Sequence, residues 1–195
     1  MNNPNDEIPE LVRGCIANER PAQERLFKLF YADMLKVARR YFRSDGLAQE
    51  AMNMAFLKVF QNISTFDSNK GSMVAWIRAI LIRTCIDMVR KEARFIQVED
   101  MGDVAESMFV LPEILEKLHA ADILNAIRSL PAATQLVFNL YIVEGYSHQE
   151  IAGQLQISDS TSRWHLSEAR RMLRGVLQPD GEVAENQTAK QKRAK

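Results

Sequence analysis

The chain is predicted to be all-α, with two small helical domains joined by an acidic linker, and three observations predict this. Apolar residues recur at three- and four-residue intervals through most segments, the period of an amphipathic helix. No stretch alternates apolar and polar residues long enough for a strand, and only 8 of the 195 residues are glycine. Residues 145–174 carry the start, turn and stripe signals of a helix-turn-helix.

The elements follow in order. A weak helix is expected over Ile8 to Ala17. A stronger one covers Ala22 to Phe42, with Leu26, Leu29, Phe30, Met34, Val37, Ala38 and Tyr41 on one stripe. Ser44-Asp45-Gly46 breaks it. A third helix, Leu47 to Asn62, carries Ala48, Ala51, Met52, Ala55, Phe56 and Val59, with Ile63 just beyond. The polar loop Ser64 to Ser72 follows. A fourth helix runs from Met73 to about Phe95, apolar early and basic late. From Gln97 to Pro112 the periodicity fades and acids accumulate, the composition of a linker. A helix from Pro112 to Leu130 opens the second domain. Pro131 is expected at the first position of the next helix, which continues to Glu144.

The helix-turn-helix comes next. Ser147 with Glu150 makes a capping box, and Ile151 and Leu155 form the buried stripe of a short helix. Gln156-Ile-Ser-Asp159 is a tight connection in which Ile157 plugs the core and Ser158 or Asp159 caps the second helix. That helix carries Leu166, Ala169, Leu173 and Val176 inward. On a wheel of about 100° per residue, Thr161, Trp164, Glu168 and Arg171 fall opposite, flanked by Ser160 and Ser167. Such a pair of helices suits a DNA major groove. The predicted domains are therefore residues 1–96, a linker at 97–112, residues 113–177, and a disordered tail at 178–195.

The formal net charge of zero conceals segregation. Residues 20–95 hold 14 Lys or Arg against seven acids, whereas residues 96–125 hold one Lys against seven acids. A basic block beside an acidic one fits a phosphate footprint in the first domain; ordinary solvated helix faces are the plain alternative. No apolar run approaches the roughly 20 residues of a membrane helix, and the polar, acidic start is no secretory signal. Cys15 and Cys85 lack metal-ligand spacing, so both are expected as reduced buried thiols of a cytoplasmic protein. His119, His148 and His165 lie on different helices without acidic or cysteine partners at ligand spacing, so surface or half-buried positions are expected. With no nucleophile–base pair and no glycine-rich phosphate loop, catalytic residues, metal and cofactors are all predicted to be none.

Two helical domains, the second a helix-turn-helix, resemble the extracytoplasmic-function (ECF) group of bacterial sigma factors. The first domain carries the likeness in Leu26-Phe-Lys-Leu-Phe-Tyr, in Ala55-Phe-Leu-Lys-Val-Phe-Gln-Asn-Ile63, and from Phe66 through Gly71-Ser-Met-Val-Ala-Trp-Ile77 to Ile86-Asp-Met-Val-Arg-Lys91. The second carries it in Leu130-Pro131, Gly145-Tyr146, Glu150-Ile-Ala152 and Ser160-Thr161 through Ala169-Arg-Arg-Met-Leu-Arg174. The resemblance implies that the first domain binds the clamp helices of core RNA polymerase and opens the −10 promoter element. It implies that the second reads the −35 element.

By the same resemblance, Glu50, Asn53, Met54, Phe56 and Leu57 are the polymerase-binding set. The family's Asp-x-x-Gln-Glu-x-Phe stands here as Glu50-Ala-Met-Asn53-Met54-Ala-Phe56, with fewer acids for ion pairing. Asn69, Lys70, Arg78, Arg83, Arg90 and Lys91 are the −10 set, with Arg83 where the family often has Asn. Strand opening needs phosphate neutralisation and a pocket for an unstacked base, and the polar, flexible loop Ser64 to Ser72 is the pocket candidate, with a plain solvated connector as the alternative. Trp76 shares a stripe with Ile80, which favours packing over base stacking. Ser160, Thr161, Arg163, Trp164, Ser167 and Arg171 are the −35 set; Trp164 can alternatively seal a helix interface.

The expected partners are core RNA polymerase, promoter DNA and an anti-sigma factor, with no membrane insertion and a monomeric free state. The alternative in the same broad class is a helix-turn-helix regulator binding operator DNA without polymerase. A helical enzyme or ligand-binding bundle fused to a DNA module would need inward carboxylates or histidines in residues 22–95, where the stripes are apolar.

Overall fold

The structure, a computed structural model, describes residues 4–92 and 120–177. The chain divides into two units, one up to Arg94 and one from Phe95 onward. The expected linker at 97–112, the tail at 178–195, His119, and the outer ends of the helices expected over 73–95 and 112–130 lie outside the described residues. Every regular element among the described residues is helical.

The first unit comprises α1 (Pro4–Ile16), α2 (Arg20–Ala38), α3 (Asp45–Asn62), a 3-10 turn (Ile63–Thr65) and α4 (Met73–Glu92). Gly14 sets the approach of α1 to α2, because a Cβ there would stand 2.6 Å from the Ala22 Cβ. Helix α2 ends at Ala38, four residues earlier than expected. Arg40 and Tyr41 donate to Val37 and Ala38 in tighter three-residue bonds, and the turn still buries Tyr41 and Phe42. Ser44 caps α3 by accepting the Leu47 N–H at 3.1 Å. Leu26, Phe30 and Met34 of α2 meet Met52, Phe56 and Val59 of α3 and Ile77, Leu81 and Cys85 of α4 in the core. Lys58 ties α3 to α4, donating to Thr84 Oγ1 at 3.1 Å and lying 3.5 Å from Asp87.

The second unit comprises α5 (Ala120–Ser129), α6 (Ala132–Phe138), a wider turn (Asn139–Val143), α7 (His148–Leu155) and α8 (Asp159–Leu177). Pro131 is extended (φ −54°, ψ 142°) and caps α6 instead of starting it. The helix expected to continue to Glu144 widens after Phe138, where Glu144 donates to the Asn139 carbonyl five residues back. Residues 133–140 are all buried, polar Thr134, Gln135 and Asn139 included. Helix α6 is thus the core helix against which α8 packs.

Candidate nucleic-acid interface

Local chemistry sets the geometry of the helix-turn-helix. The Ser147 hydroxyl accepts from the Glu150 N–H at 3.2 Å, and the Glu150 carboxylate accepts from the Ser147 N–H at 2.8 Å. The Ser147 N–H and its hydroxyl, which also donates to the Glu150 carboxylate at 2.8 Å, hold the Glu150 carboxyl below its ordinary range. Gln156 ends α7 in the left-handed region (φ 57°, ψ 45°). Two residues later Ser158 accepts the Thr161 N–H at 3.0 Å, which caps α8. Ile157, expected as the plug of the turn, is half-buried.

Helix α8 buries Ser162, His165, Leu166, Ala169 and Leu173. Val176, expected on this stripe, is exposed, because it lies a turn beyond the last buried residue at the helix end. Two histidines tie the unit together. His148 Nδ1 lies 2.8 Å from Ser162 Oγ, and its ring stacks on Tyr141 at 4.4 Å. His165 Nδ1 lies 3.0 Å from Thr134 Oγ1 on α6, and its ring meets the edge of Trp164. Both histidines are buried, which corrects the expectation of surface or half-buried positions. Each ring has a hydroxyl partner on a neighbouring helix, which offsets part of the cost of burying it. Burial pushes the His165 pKa down to about 4, against a smaller upward pull from Glu168.

The expected −35 residues do not all share one environment. Arg163 and Arg171 are exposed, while Ser160, Trp164 and Ser167 are half-buried on the same side of α8. Thr161 is 0% exposed. Its hydroxyl accepts from Ser158 at 2.8 Å, so it belongs to the cap and not to the outward set. Both outward arginines are engaged within the helix. Arg163 Nε and Nη2 each lie 2.8 Å from Asp159 Oδ2. Arg171 donates through Nε at 2.8 Å and Nη2 at 2.6 Å to the two Glu168 oxygens. The bond from Arg171 holds the Glu168 carboxyl below its ordinary range. Sequence reading passed over Asp159 and Glu168 as partners of these arginines, although the i,i+4 and i,i+3 spacings were visible.

In the first unit the loop between the 3-10 turn and α4 forms one wall of an open groove of about 750 Å³. Ile8, Pro9 and Val12 of α1 line it together with Phe66, Met73 and residues 68–72. The contribution of α1 was missed in the sequence; the i,i+4 pair Ile8 and Val12 was its only signal. The loop is braced by Asp67. Its carboxylate accepts from the Asn69 N–H at 3.0 Å and Nδ2 at 3.1 Å, while Lys70 N donates to the Asp67 carbonyl at 3.0 Å. Asn69 and Lys70 are exposed at the rim. Trp76 packs on Phe66 with centroids 5.6 Å apart. It is half-buried, as is Ile80, so the packing lies at the base of the loop and not in the core.

Among the basic residues of α4, Arg83 and Lys91 are exposed and Arg78 and Arg90 half-buried. Arg83 and Arg90, two turns apart, share a face; Arg78 falls on the buried side of the helix, at the angle of Cys85 and Val89. On α3, Glu50, Asn53, Met54 and Leu57 are exposed along one face, with Leu57 at 59%. Phe56, expected in that set, is 2% exposed and packs its ring against Phe27 at 4.8 Å. It is a core residue, because it sits on the α3 face that α2 and α4 cover. Both cysteines are free and buried, as expected. No group of three or more His, Cys, Asp or Glu among the described residues could hold a metal ion. No described helix is long and apolar enough to cross a membrane.

Comparison with known proteins follows the same division. The family model of Sigma-70 region 2 matches residues 26–95, and that of Sigma-70 region 4 matches residues 120–173. The chain is 24% identical over 180 residues to the ECF RNA polymerase sigma factor SigK of Mycobacterium ulcerans, covering 88% of this chain and 94% of that one. It is 22% identical over 170 residues to the ECF RNA polymerase sigma factor SigM of Mycobacterium tuberculosis, covering 86% and 83%. Among solved structures, CnrH bound to the cytosolic domain of CnrY aligns with 18% identity, 88% and 97% coverage and a TM-score of 0.45. The sigma factor RpoE bound to the anti-sigma factor NepR from Bartonella quintana aligns with 18% identity, 81% and 98% coverage and a TM-score of 0.48. With both family models matched in order over well more than half its length, the chain belongs to the sigma-70 family of transcription initiation factors, in its ECF group.

Proposed function

We propose that the two units divide promoter recognition between them while both are fastened to core RNA polymerase. As an ECF sigma factor the chain is a polymerase-binding initiation factor. The observation that carries the finer reading is the outward arc of α8, where Ser160, Arg163, Trp164, Ser167 and Arg171 lie together above a helix-turn-helix scaffold. A helix presented in this way reads base edges in the major groove of the −35 element.

The first unit acts on the −10 element. The groove beside residues 68–72 has an apolar floor and a polar rim, the chemistry that receives a base lifted from its stack. Asn69 and Lys70 stand at the rim. Arg83, Arg90 and Lys91 neutralise phosphates and position the strand without reading it. Glu50, Asn53, Met54 and Leu57 form the face that docks on the polymerase clamp, with more apolar area and less ion pairing than the family pattern provides. The protein performs no catalysis of its own, needs no cofactor, works in the cytoplasm and is monomeric when free. An anti-sigma factor is the remaining partner class.

In vitro transcription tests this reading. Purified core polymerase is supplied with or without the full chain on genomic templates. Chain-dependent initiation from a discrete set of start sites is expected. A chain that fails to associate with core polymerase, or that binds DNA as a dimer without it, overturns the reading.

A further inference from the structure

Both exposed arginines on the outward arc of α8 give up the same edge of the guanidinium. Arg163 presents Nε and Nη2 to Asp159, and Arg171 presents Nε and Nη2 to Glu168. The Nη1/Nη2 end of each remains, and the side chains are 53% and 72% exposed. That end is the one with which arginine donates two bonds to guanine O6 and N7. At about 100° per residue, Asp159 and Glu168 fall on the two rims of the arc, and Arg163, Ser167, Ser160, Arg171 and Trp164 are among the residues between them, with Arg170 and Arg174 on the Asp159 side. Each arginine therefore has its carboxylate on the outer side, where a swing toward the DNA backbone would otherwise carry it.

We infer that Asp159 and Glu168 are specificity-determining positioning residues, which hold Arg163 and Arg171 for guanine and penalise any register that offers only phosphate. The inference rests on the promoter reading of α8. Three physical effects support it. A fork held at one edge has fewer rotamers to lose on binding. The two carboxylates offset two of the four arginines on this side of the helix, Arg163, Arg170, Arg171 and Arg174, so the arc has less of the sequence-independent attraction for any duplex than the same helix without its acids would have. Each carboxylate is repelled by phosphate unless its arginine is satisfied by a base, so mismatched sequences meet an unfavourable contact as well as a missing favourable one. An exposed pair at i,i+3 or i,i+4 adds little to folding, so both carboxylates can be replaced without unfolding the helix.

The test uses the full chain bound to core polymerase and a duplex pool randomised in its upstream region. The wild-type complex is expected to enrich guanine at two positions, one lost in Arg163→Ala and the other in Arg171→Ala. In Asp159→Asn and Glu168→Gln, guanine enrichment at the matching position should fall about fivefold, while binding to the unselected pool rises. Glu168→Gln added to Arg171→Ala should change the base distribution no further, and Asp122→Asn, a remote exposed acid in the same unit, should change neither quantity.

Guanine enrichment that survives both carboxylate replacements overturns the inference alone. An additive effect in the double variant also overturns it, since the carboxylate would then be reading a cytosine amino group directly. A wild-type complex that enriches no upstream sequence overturns the promoter reading of α8, and the inference with it.

Discussion

Thr134 on α6 and His165 on α8 are joined through the core of the second unit, with Oγ1 and Nδ1 3.0 Å apart and both residues buried. The pair fastens α8 to α6, which is buried from Ala133 through Phe138. A neutral imidazole suits this position and an imidazolium does not, because burial removes the water that would solvate its charge.

Stability of the second unit should therefore depend on pH. His165 titrates at about 4 in the folded chain against roughly 6.5 unfolded. Between these values the unfolded state binds more protons, so stability is fully present above the unfolded value and falls as the pH drops toward 4. From pH 7 to pH 5 the loss should be about 2 kcal/mol, measured by urea denaturation followed with helical circular dichroism. His165→Asn keeps a polar atom near Thr134 and should remove most of this slope. An unchanged slope would count against the titration of His165 as its cause.

The two neighbours Phe56 and Leu57 should separate folding from docking. Phe56→Ala opens a cavity against Phe27 and should cost about 3–5 kcal/mol in the first unit. Leu57→Asp should leave unfolding within about 0.5 kcal/mol and weaken capture by immobilised core polymerase by about tenfold. Equal effects of the two on capture would contradict the assignment of the α3 face.

Gly14→Ala tests the α1–α2 approach. The added Cβ meets the Ala22 Cβ at 2.6 Å, a contact that can be relieved only by moving backbone. A loss of about 1–3 kcal/mol in chemical denaturation is expected; a stabilised variant would show that α1 is free to shift.

Lys70→Ala and Arg90→Ala should slow open-complex formation without abolishing polymerase binding. Permanganate reactivity of unpaired thymines around the −10 element measures the step. Wild-type kinetics in both variants would remove the loop and α4 from the proposed strand-opening path.

Much of the fold was written locally. Ser147 and Glu150 find each other three residues apart, Ser44 caps the helix it precedes, and the 3-4 spacing of Leu166, Ala169 and Leu173 marks the inner side of α8. Such signals need only the helical repeat, so they survive without knowledge of any partner element. The arc of Arg163, Trp164 and Arg171 was legible for the same reason.

What the linear pattern left open was decided by packing between elements. Thr161 stands at the edge of the polar face on a wheel, and the preceding turn closes over it through Ser158. Phe56 already lay on the apolar stripe of α3, and only the family likeness placed it on the docking face; its contact with Phe27 keeps it in the core. His148 and His165 carry no local mark of burial, since their hydroxyl partners, Ser162 and Thr134, lie 14 and 31 residues away. The sequence by itself determined which residues form helices and which faces are apolar, because both follow from interactions within one or two turns. Tertiary structure alone decided which borderline polar residues are enclosed, because enclosure depends on the chain that comes to lie over them.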